Sequence, residues 1–201
     1  MSPENYLSSK DATLASIIEA TPTFKKTDWN KDLYLSLLES IVSQQISVKA
    51  ADSIFARFRA LFPEQYPHPE LLLAQTDEQL RSAGLSFQKI NYLRNVATFS
   101  LEKGMDYAHL DTLTDDEIVD YLIPIKGVGR WTVEMLLMFV MNRPDVFPVD
   151  DLVIRQKMVK AYQLTETGRP LYKQLHEIAE QWRPHRTLAC RYLWRWQPNA
   201  N

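Results

Sequence analysis

Two short stretches of the chain carry residue types that can do chemistry. The first is Leu122-Ile-Pro-Ile-Lys-Gly-Val-Gly-Arg-Trp-Thr132. Gly127 and Gly129 are one residue apart. Such a pair lets the backbone turn sharply and leaves its N–H groups uncovered. A helix is predicted to leave at once from Arg130, so its first amides and the positive end of its dipole face the same spot. That is a phosphate-binding device, and Lys126 and Arg130 add charge beside it. An ordinary helix connection also stops on glycine, and a G-x-G pair by itself is a weak signal. The second stretch is Asp145-Val-Phe-Pro-Val-Asp-Asp-Leu-Val-Ile-Arg155. Here Asp150 and Asp151 follow an extended, Pro-containing segment and precede a predicted helix. The dipole keeps a carboxylate at a helix N-terminus ionised, which suits it to stabilise a positive charge or orient a water. Asp is also a favoured N-cap, and one of the pair can be only that.

The elements that must hold these residues read as helices almost throughout. Leu33, Leu37, Leu38, Ile41 and Val42 recur at three- and four-residue steps, predicting a buried helix over 31–44. Ser47 is placed to cap the next one, which carries Ala50, Ala51, Ile54, Phe55 and Phe58 and stops before Pro63. Thr76 with Gln79 and Thr114 with Glu117 have the spacing of capping boxes. A helix from Ser86 ends at Gly104, and an apolar one covers 130–141. One short helix over 11–20 and two or three after Asp151 complete a reading of roughly nine or ten helices, with strand-like alternation scarce. The fold class is all-α.

Composition narrows the function classes. The 201 residues include 45% apolar and 24% charged side chains, as in a globular protein, and fit one compact or two-lobed domain. A net charge of −2 excludes a wholly basic nucleic-acid coat but leaves room for a basic face. One cysteine, Cys190, excludes a disulfide framework, a four-thiolate iron–sulfur cluster and a Cys-rich zinc site. No apolar run is long enough for a membrane span, and the polar start lacks the core of a signal peptide. A reducing, cytosolic setting is expected. His68, His109, His176 and His185 are scattered and read as structural or surface residues. Arg183, Arg186, Arg191 and Arg195 follow Gln181 with no acid among them, a candidate phosphate surface.

Taken together, the stretches resemble the helix-hairpin-helix DNA glycosylase superfamily, and within it the 3-methyladenine DNA glycosylase II branch. The matching pieces are Gly127-Val-Gly-Arg-Trp-Thr132, Asp145-Val-Phe147, Asp150-Asp151, Ile154 with Gln156, Trp182-Arg-Pro184, Trp194, and the segment Ser43-Gln-Gln-Ile-Ser-Val48. The resemblance covers roughly 31–198, with the hairpin at about 115–142, and leaves no room for the β-rich N-terminal domain of many bacterial members. It implies a single glycosylase domain over 1–201, built of two helical lobes. A base rotated out of the duplex would enter a pocket between them.

The resemblance also assigns roles. Asp151 is the catalytic acid when Asp145-Val-Phe147 is the anchor; anchoring on Pro148-Val-Asp150 selects Asp150 instead. Asp151 is preferred, with Asp150 as cap or support. Gln45, Lys126, Gly127, Gly129, Arg130 and Thr132 are expected on DNA, with Gln45 filling the gap left by the flipped base. Trp131, Met135 and Trp194 are expected in the base pocket, although each is also a plausible core residue. An aromatic face attracts a cation, so a methylated purine is favoured over its neutral parent. Lyase members carry a Schiff-base lysine where this chain has Trp131, which implies base removal without strand cleavage. The expected substrates are 3-methyladenine and 7-methylguanine in damaged double-stranded DNA, with ethenoadenine and hypoxanthine as further candidates. No metal or organic cofactor and no membrane are implied. A monomer is expected, in the nucleoid region of the cytoplasm if bacterial and nuclear if eukaryotic. The alternatives are a non-catalytic hairpin DNA-binding module and another base specificity in the same superfamily.

Overall fold

A computed structural model describes residues 1–22 and 31–197. Every regular element among them is helical. In chain order these are α1 (Pro3–Lys10), α2 (Ala12–Glu19), α3 (Leu33–Ser43), α4 (Val48–Arg59), a 3-10 turn (Pro63–Gln65), α5 (Pro69–Ala74), α6 (Asp77–Ser82) and α7 (Phe87–Lys103). They continue with α8 (Tyr107–Leu110), α9 (Asp115–Leu122), α10 (Arg130–Phe139), α11 (Leu152–Ala161), α12 (Gly168–Glu180) and α13 (Arg186–Arg195). None is long and apolar enough to cross a membrane. Residue 198, the last that the resemblance reaches, is outside the described residues.

The chain divides into two compact units. One is continuous, Asn30–Leu136; the other joins Met1–Trp29 to Leu137–Asn201. In the continuous unit α7 is the spine. Its Ile90, Leu93, Val96 and Ala97 are buried at helical spacing, and α3, α5 and α6 pack against it. Each fully buried Leu, Ile or Phe contributes about 1.5–3 kcal/mol of transfer free energy, so these faces fix the packing. Both expected capping boxes form, Thr76 with Gln79 and Thr114 with Glu117. The N–H and hydroxyl of Thr114 hold the Glu117 carboxyl below its ordinary range.

The discontinuous unit is centred on a buried carboxylate. Asp11 Oδ1 caps α2 at the Leu14 amide (2.9 Å). Its Oδ2 accepts from Trp182 Nε1 at 2.8 Å and from the Tyr162 hydroxyl at 2.6 Å. Burial first, and then Asp11, push the Tyr162 phenol well above its usual range. The sequence reading treats the first residues as a polar start and leaves them outside the resemblance. In the structure α1 and α2 belong to this core, with Leu7, Leu14 and Ile17 buried. The helices not foreseen are α1, α5 and α8. All three are short, and each buries a single residue, so no apolar period announces them.

Candidate active site

The turn of the hairpin and the start of its second helix lie in the continuous unit. Helix α9 runs into a turn pinned by the buried side chains of Ile125 and Val128, and α10 starts at Arg130. Two carbonyls of the turn point at side-chain donors. Asn95 Nδ2 donates to Lys126 O at 3.1 Å, and Gln44 Nε2 donates to Gly127 O at 3.3 Å. Lys126, Gly129 and Arg130 are exposed. The two glycines have different reasons to be glycine. Gly127 has φ 104° and sits on the Tyr92 side chain, where a Cβ would come within 2.3 Å of the ring. A Cβ on Gly129 would meet nothing within 4 Å, and its φ is not positive. Its freedom from a side chain is therefore not needed by the protein's own packing.

The basic flank is partly neutralised. Arg130 pairs with Asp116 at 3.3 Å and with Glu134 at 3.3 Å. Thr132 is only 3% exposed, so its side chain faces the interior and any DNA contact from it falls to the main chain. Trp131 is 39% exposed, and Met135, one turn later on the same helix, is half-buried.

Gln45 stands exposed in the turn between α3 and α4 with φ 60°. That left-handed conformation costs a residue with a side chain about 1–2 kcal/mol. Strain of this kind persists only where surrounding contacts impose it. Here Lys89 Nζ donates to Val42 O at 2.6 Å and to Gln44 O at 2.9 Å.

The carboxylates lie in the discontinuous unit. Asp151 is 8% exposed and is the N-cap of α11. Its Oδ1 accepts from the Ile154 amide at 2.9 Å and from Trp194 Nε1 at 3.0 Å. The Trp194 ring stacks on Phe139, with centroids 5.4 Å apart, and its carbonyl accepts from Lys157 Nζ at 2.7 Å. A desolvated, doubly hydrogen-bonded anion at a helix N-terminus is fixed in orientation. Asp150 differs. It is exposed, and its carboxylate accepts from the Tyr172 hydroxyl at 3.0 Å. Of the two roles expected for Asp150, cap or support, the cap falls to Asp151 instead, because the chain enters α11 one residue later. Capping and orientation by an aromatic therefore fall on one residue.

Two of the four C-terminal arginines expected on an open basic surface, Arg183 and Arg186, are paired with acids instead. Asp145 takes Arg183 and Arg186 together, with Arg186 Nε at 2.8 Å from Oδ1. Glu180 holds Arg183 as well, at 2.8 Å. The count after Gln181 missed these acids because both precede it in sequence. Three of the four histidines pack against aromatic rings: His68 on Tyr66, His176 on Phe147 and His185 on Tyr6. Among the described residues no group of three or more His, Cys, Asp or Glu is placed to hold a metal ion.

Sequence reasoning missed the residues that brace the candidates: Gln44, Lys89, Tyr92, Asn95, Phe139 and Tyr172. Gln44 alone lies in a segment carrying the resemblance. The others have no local signature, since a brace is defined by what it touches across the fold.

The family model described as "HhH-GPD superfamily base excision DNA repair protein" matches residues 38–185, which include Gln45, the hairpin and both aspartates. The chain belongs to this superfamily. DNA-3-methyladenine glycosylase 1 of Schizosaccharomyces pombe is 34% identical over 196 residues, spanning 96% of this chain and 85% of the relative. A solved structure of the S. pombe 3-methyladenine DNA glycosylase in complex with abasic DNA superposes with a TM-score of 0.85. It has 32% identity and covers 96% of this chain and 94% of that one. A DNA-3-methyladenine glycosidase from Bacillus halodurans gives a TM-score of 0.81 at 36% identity, covering 96% and 88%. The all-helical fold is that of the superfamily, and its likeness covers more of the chain than the matched region.

Proposed function

We propose that the chain is a monofunctional DNA glycosylase that hydrolyses the N-glycosidic bond of alkylated purines in double-stranded DNA and so starts base excision repair. The observation that carries this reading is the Asp151 carboxylate, desolvated and held by the Ile154 amide and the Trp194 indole N–H. Cleavage of an N-glycosidic bond leaves positive charge on the sugar. A fixed carboxylate stabilises that oxocarbenium-like state and orients the attacking water. A purine alkylated at N3 or N7 is already cationic and leaves readily, so the reaction asks for no general acid. The names of the yeast and bacterial relatives support 3-methyladenine as a substrate.

The remaining roles follow from residue chemistry. Trp131 offers a half-exposed aromatic face to an electron-poor base, with Met135 beside it. Lys126, Gly129 and the first amides of α10 grip phosphate without reading sequence. Gln45 fills the space of the extruded base. Position 131 holds no lysine, so no Schiff base forms there and the abasic strand stays intact. The enzyme acts as a monomer and uses no cofactor.

The test is base release from methylated duplex DNA by the wild type and by Asp151→Asn, with the abasic strand examined for nicks. Asparagine keeps an oxygen for both donors, so the fold survives while the charge is lost. Release should fall on the order of a hundred- to a thousandfold with DNA binding retained. Nicking by the wild type would refute the monofunctional reading, and undiminished release by Asp151→Asn would refute the assignment of the acid.

A further inference from the structure

We propose that Lys89 is a positioning residue for Gln45, and that Lys89 and Gln44 together couple the Gln45 turn to the hairpin. The proposal rests on the excision reading above for its effect on rate, not for its geometry. Helix α3 ends at Ser43, so its last carbonyls have no amide of their own helix to meet. Lys89, reaching across from α7, binds two of the carbonyls at this end, Val42 O and Gln44 O. The Gln44 carbonyl lies in the peptide plane that precedes Gln45, and rotation of that plane about the Gln45 N–Cα bond is what sets φ. The ammonium therefore pins the left-handed φ of 60° from one side. The Gln44 side chain pins the same segment from the other side by donating to Gly127 O in the hairpin. Tyr92, under Gly127, comes from the same helix as Lys89. Helix α7, the Gln45 turn and the hairpin thus form one braced assembly within the continuous unit.

The placement of Lys89 is costly for a lysine, since burial pulls its ammonium below the usual range. A flexible, solvated lysine would avoid that cost, and here the two carbonyl contacts offset it. Mechanically, a side chain that must enter a stacked duplex needs a stiff support. Without the tie, Gln45 relaxes to an ordinary backbone conformation and the push on the base is lost. Loss of Lys89 then slows release where a paired base has to be displaced and not where pairing is already absent, although the intrusion of Gln45 into the stack is lost in both.

The experiment measures single-turnover base release on two duplexes carrying the same methylated purine, one opposite its pairing partner and one opposite an abasic gap. Lys89→Met should slow release from the paired duplex roughly tenfold or more, the scale of losing charge-assisted hydrogen bonds. On the gapped duplex it should match the wild type. Lys89→Arg should recover most of the rate, Gln44→Leu should show a smaller loss of the same kind, and Lys89→Met should add nothing to Gln45→Ala. Equal loss on both duplexes, or losses that multiply in the double variant, would overturn the tie. A second readout needs no excision: 2-aminopurine facing a tetrahydrofuran abasic site brightens when the opposite stack is disturbed. Brightening with the wild type but not with Lys89→Met supports the tie even if no base is released, in which case the excision reading alone fails. Equal brightening by both proteins, or none with the wild type, overturns the tie.

Discussion

Helices α10 and α11 begin in opposite ways, although both N-termini present the same electrostatics. At the start of α10 the chain supplies two glycines and exposed Lys126 and Arg130, and the residue that precedes the helix, Gly129, has no side chain to offer. At the start of α11 the chain fills the position with Asp151, whose oxygen takes the Ile154 amide. A helix N-terminus attracts an anion in either case. Left open, it serves an anion from outside, here proposed to be a DNA phosphate. Closed by a side chain, it holds a carboxylate in place, here proposed to await a cation that forms only in the transition state. The difference is one of which partner is supplied by the protein.

The largest expected effect breaks the second arrangement. Asp151→Asn should abolish most base release, whereas Asp150→Asn, which loses a charge held on the surface by Tyr172, should cost less than tenfold. The reverse ranking would move the chemistry to Asp150. The next effect separates the two glycines of the first arrangement. Gly127→Ala forces a side chain into a positive φ and against Tyr92, and should lower unfolding stability by about 2–4 kcal/mol in urea titration. Gly129→Ala enters open space and should change stability by less than about 1 kcal/mol. Its DNA affinity should nevertheless fall, because the methyl group occupies the approach to the α10 amides. Unaltered binding by Gly129→Ala would show that no phosphate comes close there.

Smaller effects sharpen the comparison. Trp194→Phe keeps the ring against Phe139 but removes the indole donor to Asp151. Single-turnover release should drop about tenfold, with melting temperature nearly unchanged. The smallest effect is Asp116→Asn, which frees Arg130 from one of its two carboxylates. DNA binding should tighten about twofold and weaken more steeply with added salt, since an exposed ion pair contributes little. Loss of affinity would place Arg130 away from the backbone.

Much of the fold was legible because its signals are local. Ser47, Ser86, Thr76 with Gln79 and Thr114 with Glu117 cap helices where spacing places them. The hairpin was legible for the same reason, since two glycines, a buried valine and a helix start all lie within one turn. The orientation of Asp151 was not, because its indole donor comes from Trp194 on α13. The pairing of Arg183 and Arg186 with Asp145 was hidden in the same way, and so the first half of a basic run in sequence became an ion-pair cluster in space. Helix α1 escaped notice because a helix that buries only Leu7 has no apolar stripe to read.

Asp11 bears on the order in which the molecule can be finished. Its partners Tyr162 and Trp182 lie 151 and 171 residues further along. On the ribosome, α1 and α2 leave the exit tunnel long before the groups that satisfy their carboxylate are made. The Asn30–Leu136 segment, whose contacts lie within one continuous stretch, has everything it needs while synthesis is still under way. Helices α1 and α2 must therefore wait for Tyr162 and Trp182, and the nascent protein passes through a stage in which the Asn30–Leu136 unit is built and these two helices are still unmoored.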